Sequence, residues 1–148
     1  MLSERRMLTI DSDYDIIISD NKDNTKEAFF TGKRFALLIM KMPDINREVT
    51  KAKDEKYVDT RLHIGCAWYL SITSGFHCVD IRKFFKDSEG NIRATKRGIS
   101  LSYSEWDRLM NVATRIENEI EAFKAISNCW HDSQIELQHC RECNPFDE

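Results

Sequence analysis

Lys96-Arg97-Gly98-Ile99-Ser100-Leu101-Ser102-Tyr103-Ser104-Glu105-Trp106 is the stretch from which the fold can be read. Its first part, Arg97 to Leu101, alternates apolar and polar residues in the manner of a short strand. Its second part is a helix start. Ser102 with Glu105 three residues later makes a capping box, in which each side chain satisfies a backbone N–H that the first helical turn leaves open. Trp106, Leu109, Met110, Ala113, Ile116, Ile120 and Phe123 then recur at steps of three and four. That stripe predicts an amphipathic helix over about 103–126, with Trp106 in the core.

Moving toward the N-terminus, Ala67 to Thr73 is rich in aromatic and β-branched residues, Ser74-Gly75 reads as a tight turn, and Phe76 to Phe85 runs back. Asp87-Ser88-Glu89-Gly90-Asn91 is a second turn, followed by strand-like Asn91 to Thr95 and Arg97 to Leu101. The expected fold is therefore α+β: a curved antiparallel four-stranded sheet followed by a helix (ββββα). The helix covers one face and leaves the other to solvent or a ligand.

The first 60 residues repeat that order more faintly. Arg5 to Ile10, Tyr14 to Ser19, Ala28 to Thr31 and Arg34 to Met40 read as strands, and Pro43 to Tyr57 as a helix with Pro43 in its first turn. Leu8-Thr9-Ile10 echoes Leu70-Ser71-Ile72, and Thr31-Gly32-Lys33-Arg34 echoes Ala94-Thr95-Lys96-Arg97, at spacings of 62 and 63 residues. The expectation is a tandem duplication: a degenerate copy in 1–60, a second in 61–124, and an acidic extension in 125–148.

Charge singles out the middle section. The 148 residues carry a net charge of −3. Residues 1–60 hold 11 basic and 12 acidic residues, 61–124 hold 10 and 8, and 125–148 hold one basic residue, Arg141, against five acids. A phosphate-binding surface belongs on 61–124. Phe35 to Met40, the longest apolar stretch, is too short to span a bilayer, and Met1 to Ile10 has no apolar core of a secretory signal. The five cysteines are then read as reduced thiols of an intracellular protein.

Residues 61–124 resemble the C-terminal single-stranded-DNA-binding domain of the positive cofactor four type of transcriptional coactivator. The resemblance rests on Ile64-Gly65 opening a long first strand, Val79-Asp80-Ile81-Arg82 followed by Phe84 and Phe85, the Asp87-Ser88-Glu89-Gly90 turn, and Lys96-Arg97-Gly98-Ile99-Ser100-Leu101 with Glu105-Trp106 after it. It implies a ββββα unit that pairs through its helices, a concave surface for single-stranded or melted DNA, and a nuclear role in transcription, with the transcription machinery as a further partner. Position by position, Arg82 falls on a basic DNA-contacting site, Phe85 on a stacking aromatic, and Lys96 and Arg97 on a basic pair. Phe76, Lys83 and Lys86 join them by proximity alone. The resemblance puts Phe85 on the DNA side and leaves Phe84 for the core.

Aromatic side chains stack unpaired bases without reading sequence, at roughly 1–3 kcal/mol per base, and Lys and Arg beside them hold phosphates, which makes affinity fall with salt. Two departures bear on this. The Thr73-Ser74-Gly75-Phe76 hairpin is about two residues shorter than the family pattern, and His77 and Cys78 stand where lysines are expected, which predicts weaker DNA binding or its loss. In the first half, Asp15-Ile16-Ile17-Ile18 takes the place of the Asp80-Ile81-Arg82-Lys83 pattern, so the arginine is missing. The first half is then a partner for the second, giving an intramolecular pseudo-dimer; the alternative is an ordinary homodimer.

The extension carries Cys129, His131, His139, Cys140 and Cys143. Thiolates and imidazoles at such spacings make Cys129, His139, Cys140 and Cys143 candidate zinc ligands; the alternative is a set of unligated thiols, with no cofactor. His63 and His77 have no triad setting, Asp80 and Asp87 are explained by strand and turn, and no Gly-rich phosphate loop is present. The expectation is a binding protein rather than an enzyme, and the competing function is a protein-interaction module that keeps the fold without DNA.

Overall fold

The computed structural model describes residues 2–23, 25–65 and 67–119. The element order is β1 (Arg6–Ile10), β2 (Ile16–Asp20), β3 (Glu27–Phe30), α1 (Gly32–Lys53), β4 (Asp59–His63), β5 (Trp68–Thr73), β6 (Cys78–Lys86), β7 (Ile92–Ser102) and α2 (Tyr103–Glu119). Strands β1-β2-β3 form one antiparallel sheet and β4-β5-β6-β7 another. The fold is α+β, and the four-stranded sheet followed by a helix is the unit expected for the second half.

The capping box closes as the sequence requires. Glu105 N–H donates to Ser102 Oγ at 3.2 Å and Ser102 N–H donates to Glu105 Oε1 at 2.9 Å. Trp106, Leu109, Ala113 and Ile116 are buried below it. In the first half Thr31 does the same work for α1, accepting from Arg34 N–H at 3.2 Å. Phe35, Leu38, Met42 and Ile45 follow at the same four spacings from their cap as the α2 set, and all are buried.

Several boundaries differ from the sequence reading. Arg34 to Met40 is not a strand but the opening of α1, because the Thr31 cap and the Phe35–Leu38–Met42–Ile45–Val49 stripe specify a helix from Gly32 onward. Pro43 consequently sits inside the helix rather than in its first turn. An interior proline costs about 3 kcal/mol, and the burial of five large apolar side chains along the same face outweighs it. Ile64-Gly65 turns the chain between β4 and β5 instead of opening a strand: Trp68 N–H donates to Gly65 O at 3.1 Å, and Gly65 adopts φ +102°. Asn91 to Thr95 and Arg97 to Leu101 belong to one long strand, β7, whose irregularity sets Thr95, Lys96 and Arg97 opposite Lys83. The predicted end of α2 beyond Glu119 lies outside the described residues.

A single buried cluster runs through both halves, from Leu2, Ile16, Ile18 and Phe30 to Ile81, Ile99, Leu101 and Trp106. Charged groups fix the join. Arg6 pairs with buried Asp20 and lies 3.7 Å from Glu105, while Ser3 Oγ donates to Glu105 Oε2 at 2.6 Å. Arg6 Nη2 also donates to Ser100 O. The side chain that caps α2 therefore also anchors β1.

Candidate nucleic-acid interface

Strand alternation sorts the second sheet into two faces. Leu70, Ile72, Val79, Ile81, Ile99 and Leu101 point toward the helices and are buried. Their neighbours point away from the helices. The register sets His63 opposite Tyr69, Tyr69 opposite Arg82, and Arg82 opposite Gly98. On this open face Tyr69 meets His63 and Phe84, with ring centroids at 5.1 and 5.0 Å, and the Arg61 guanidinium lies over Phe84 at 4.7 Å. Burial pushes the Tyr69 hydroxyl up, with the Arg61 charge opposing it. The result is a floor of rings and cations on a rigid sheet.

Arg82 is tightly placed. Its Nε and Nη2 donate to the two oxygens of Asp80 at 3.2 and 3.0 Å, and its Nη1 donates to Thr95 O at 3.1 Å. Ser100 Oγ donates to Asp80 Oδ1 at 2.7 Å. Gly98 makes room for this arrangement: a Cβ there would sit 2.6 Å from Ile81 O and 2.8 Å from Arg82 Cα. A guanidinium has five N–H donors, so Arg82 keeps two beyond these three bonds, aimed by the carboxylate that holds it.

The other expected residues fall around this floor. Phe76 tops the β5–β6 turn and is 72% exposed. Phe85 is 44% exposed and lies opposite Arg93. By alternation Phe84, and not Phe85, shares the face of Arg82. Phe84 is buried, as expected, but against Tyr69 and Arg61 rather than in the shared core. The β7 irregularity inserts two extra residues opposite Lys83, an even number that leaves the alternation of faces intact on both sides of it. Lys86 and Lys96 are exposed, and Lys83 is half-buried opposite Trp68. Arg97 turns toward the first sheet, 3.8 Å from Glu27 and over the Trp68 ring. Arg82, Lys86 and Lys96 are thus on the open face, whereas Lys83, Phe85 and Arg97 flank it.

Tyr69, Arg61 and Asp80 also belong to this candidate face, although the sequence pattern marks none of them as a contact. Tyr69 was visible in the alternation of Trp68, Leu70 and Ile72 against Tyr69, Ser71 and Thr73; Arg61 was hidden because β4 was not recognised as a strand. The candidate zinc ligands Cys129, His139, Cys140 and Cys143 lie outside the described residues. No described helix is long and apolar enough to cross a membrane.

The β5–β6 turn, β6, β7 and the opening of α2, which carry the arginine, the aromatics and the Lys-Arg-Gly run, are the part of the chain that matches a known family. Residues 74–112 match the family model of Transcriptional Coactivator p15 (PC4). The match covers about a quarter of the chain, from the β5–β6 turn through β6 and β7 into α2. It includes Phe76, Arg82, Phe85, Lys96 and Arg97. The remaining strands of the same sheet, β4 and β5, precede the matched residues and are joined to them by the hydrogen-bonded register. No solved structure matches the chain.

Proposed function

We propose that the open face of β4–β7 binds single-stranded or melted DNA, in a nuclear, transcription-linked role, by stacking and phosphate contact rather than by chemistry on the nucleic acid. The observation that carries this reading is the PC4 match over β6 and β7, where Arg82 and Phe84 share a face with Tyr69 of the adjoining β5. Phosphates go to Arg82, Lys86 and Lys96 and bases stack on Phe76, while Lys83, Arg97 and the accessible Phe85 ring flank the face and take the strand at its margin.

The first half supports the role of built-in partner. Pairing registers make Leu8 and Ile10 of β1 equivalent to Leu70 and Ile72 of β5, Ile16 and Ile18 of β2 to Val79 and Ile81 of β6, and Ala28 and Phe30 of β3 to Ile99 and Leu101 of β7. The Leu-x-Ile echo thus falls on equivalent strands. The Thr31–Arg34 echo does not: Thr31 caps α1, whereas Ala94 to Arg97 lie within β7. The position matching Arg82 is Ser19, two residues on from the one inferred from sequence, and it too lacks a cation. A tandem pseudo-dimer with one DNA-competent side accounts for both facts.

A protein-interaction module is the second reading, favoured by the net charge of −3 and by the ion pairs that already occupy Arg82 and Arg97. Fluorescence anisotropy of a labelled single strand of about 20 nucleotides, at low and moderate salt and against duplex, separates the two. Strand-selective, salt-sensitive binding that weakens at least tenfold in Arg82→Ala/Phe85→Ala is expected. Absence of binding at low salt would leave the interaction module.

A further inference from the structure

Beside Arg82 the open face dips into a groove of ≈ 310 Å³ lined by Ser71, Thr73, Phe76, Cys78, Asp80 and Ser100. We propose that this groove holds one unstacked nucleobase bearing an exocyclic amino group, and so gives a base preference to binding that stacking alone would leave indifferent to sequence. The proposal rests on the DNA-binding reading above and adds to it a base-selecting residue, Asp80.

The chemistry of the lining excludes a phosphate. No cation lines the groove, and its one charge is the Asp80 carboxylate. What it offers is hydroxyls on the floor, a thiol that burial and the Asp80 charge keep protonated against the opposing Ser100 bond, and the exposed Phe76 ring at the mouth. Such a lining suits a flat, uncharged group that donates hydrogen bonds. A carboxylate has about four acceptor positions. Asp80 Oδ1 takes bonds from Arg82 and Ser100, and Oδ2 takes one from Arg82. One position on Oδ2 is left, and an amino group of cytosine or adenine supplies the matching donor. Arg82 follows Asp80 by two residues on the same face, about 7 Å along the strand, where it can take the phosphate of the same nucleotide. Bases splayed from a single strand are read in this way, one face stacked and one edge hydrogen-bonded.

The groove is particular to the second sheet. At the equivalent places in the first sheet, Ile17 stands for Asp80 and Phe29 for Ser100. An aliphatic and an aromatic side chain there remove the acceptor and occupy the space.

Anisotropy titrations of oligo(dC) and oligo(dT) of equal length test the proposal in the full chain. Wild type is expected to bind oligo(dC) several-fold to about tenfold more tightly, since thymine presents carbonyls in place of the amino group. Asp80→Asn, and Ser71→Leu, which puts bulk into the groove and removes no hydrogen-bond partner of Arg82, are both expected to erase that ratio; thermal unfolding of each variant checks that it is folded. Equal affinities in wild type overturn the base pocket while leaving DNA binding in place, as does a ratio that survives in a folded Ser71→Leu. Failure of both oligonucleotides to bind at low salt overturns the DNA reading and the pocket together.

Discussion

At the scale of single residues, two positions have consequences out of proportion to their size. Gly98 has ordinary backbone angles; what it lacks is room. A side chain there meets backbone atoms of Ile81 and Arg82, which cannot move aside as a flexible side chain would. Gly98→Val is therefore expected to lower stability by about 1–3 kcal/mol, measured by urea unfolding, and to displace Arg82 so that any single-strand affinity falls with it. Asp20 is the second. Burial pushes its carboxyl up, but the Lys22 N–H, the Arg5 side chain, the Arg6 charge and the Asp23 N–H outweigh this and bring it from 3.8 down to about 2. A depressed carboxyl contributes stability that is fully present above its unfolded value and is lost as pH falls toward the folded one. Unfolding midpoints are thus expected to drop between about pH 4 and pH 2, and Asp20→Asn is expected to flatten that part of the profile. A wild-type profile with no slope in this window would refute the assignment.

At the scale of elements, the join between strand and helix was the most legible part of the chain. Ser102, Glu105 and the apolar steps after Trp106 are local signals, and local signals survive folding because each is satisfied within a few residues. Glu105 also reaches Ser3 and Arg6, which no local pattern announces. Glu105→Ala is expected to cost about 1–2 kcal/mol through loss of the cap and to raise amide exchange across β1. Glu105→Gln keeps the cap and should lie between Ala and wild type, with the difference read by hydrogen exchange at Arg6 to Ile10. The α1 region shows the opposite case. Arg34 to Met40 is apolar enough to read as a strand, and Pro43 invites a helix to begin there. The Thr31 cap and the Phe35–Leu38–Met42–Ile45 stripe, buried in the core that both halves share, settle it as helix. The open face was half legible: Arg82 and the aromatics stand out in the sequence, and alternation along β6 puts Phe84 on the face of Arg82, but the irregular pairing that sets Thr95, Lys96 and Arg97 opposite Lys83 has no signature besides Gly98.

At the scale of the whole molecule, the shared core makes the halves dependent on each other. Residues 58–119 alone would uncover the buried faces of β5–β7 and α2 that now meet α1 and β2–β3. That fragment is expected to self-associate, whereas the full chain is expected to sediment as a monomer with one cooperative unfolding transition; analytical ultracentrifugation of both distinguishes this arrangement from an ordinary homodimer, in which the full chain would run at twice its mass. The unequal halves have one more consequence. A groove built from two identical copies is related to itself by a half-turn, so a strand laid across it meets the same surface from either end. Here the positions equivalent to Arg82, Asp80 and Gly98 are Ser19, Ile17 and Glu27. A strand seated on this surface would have a fixed 5′-to-3′ direction.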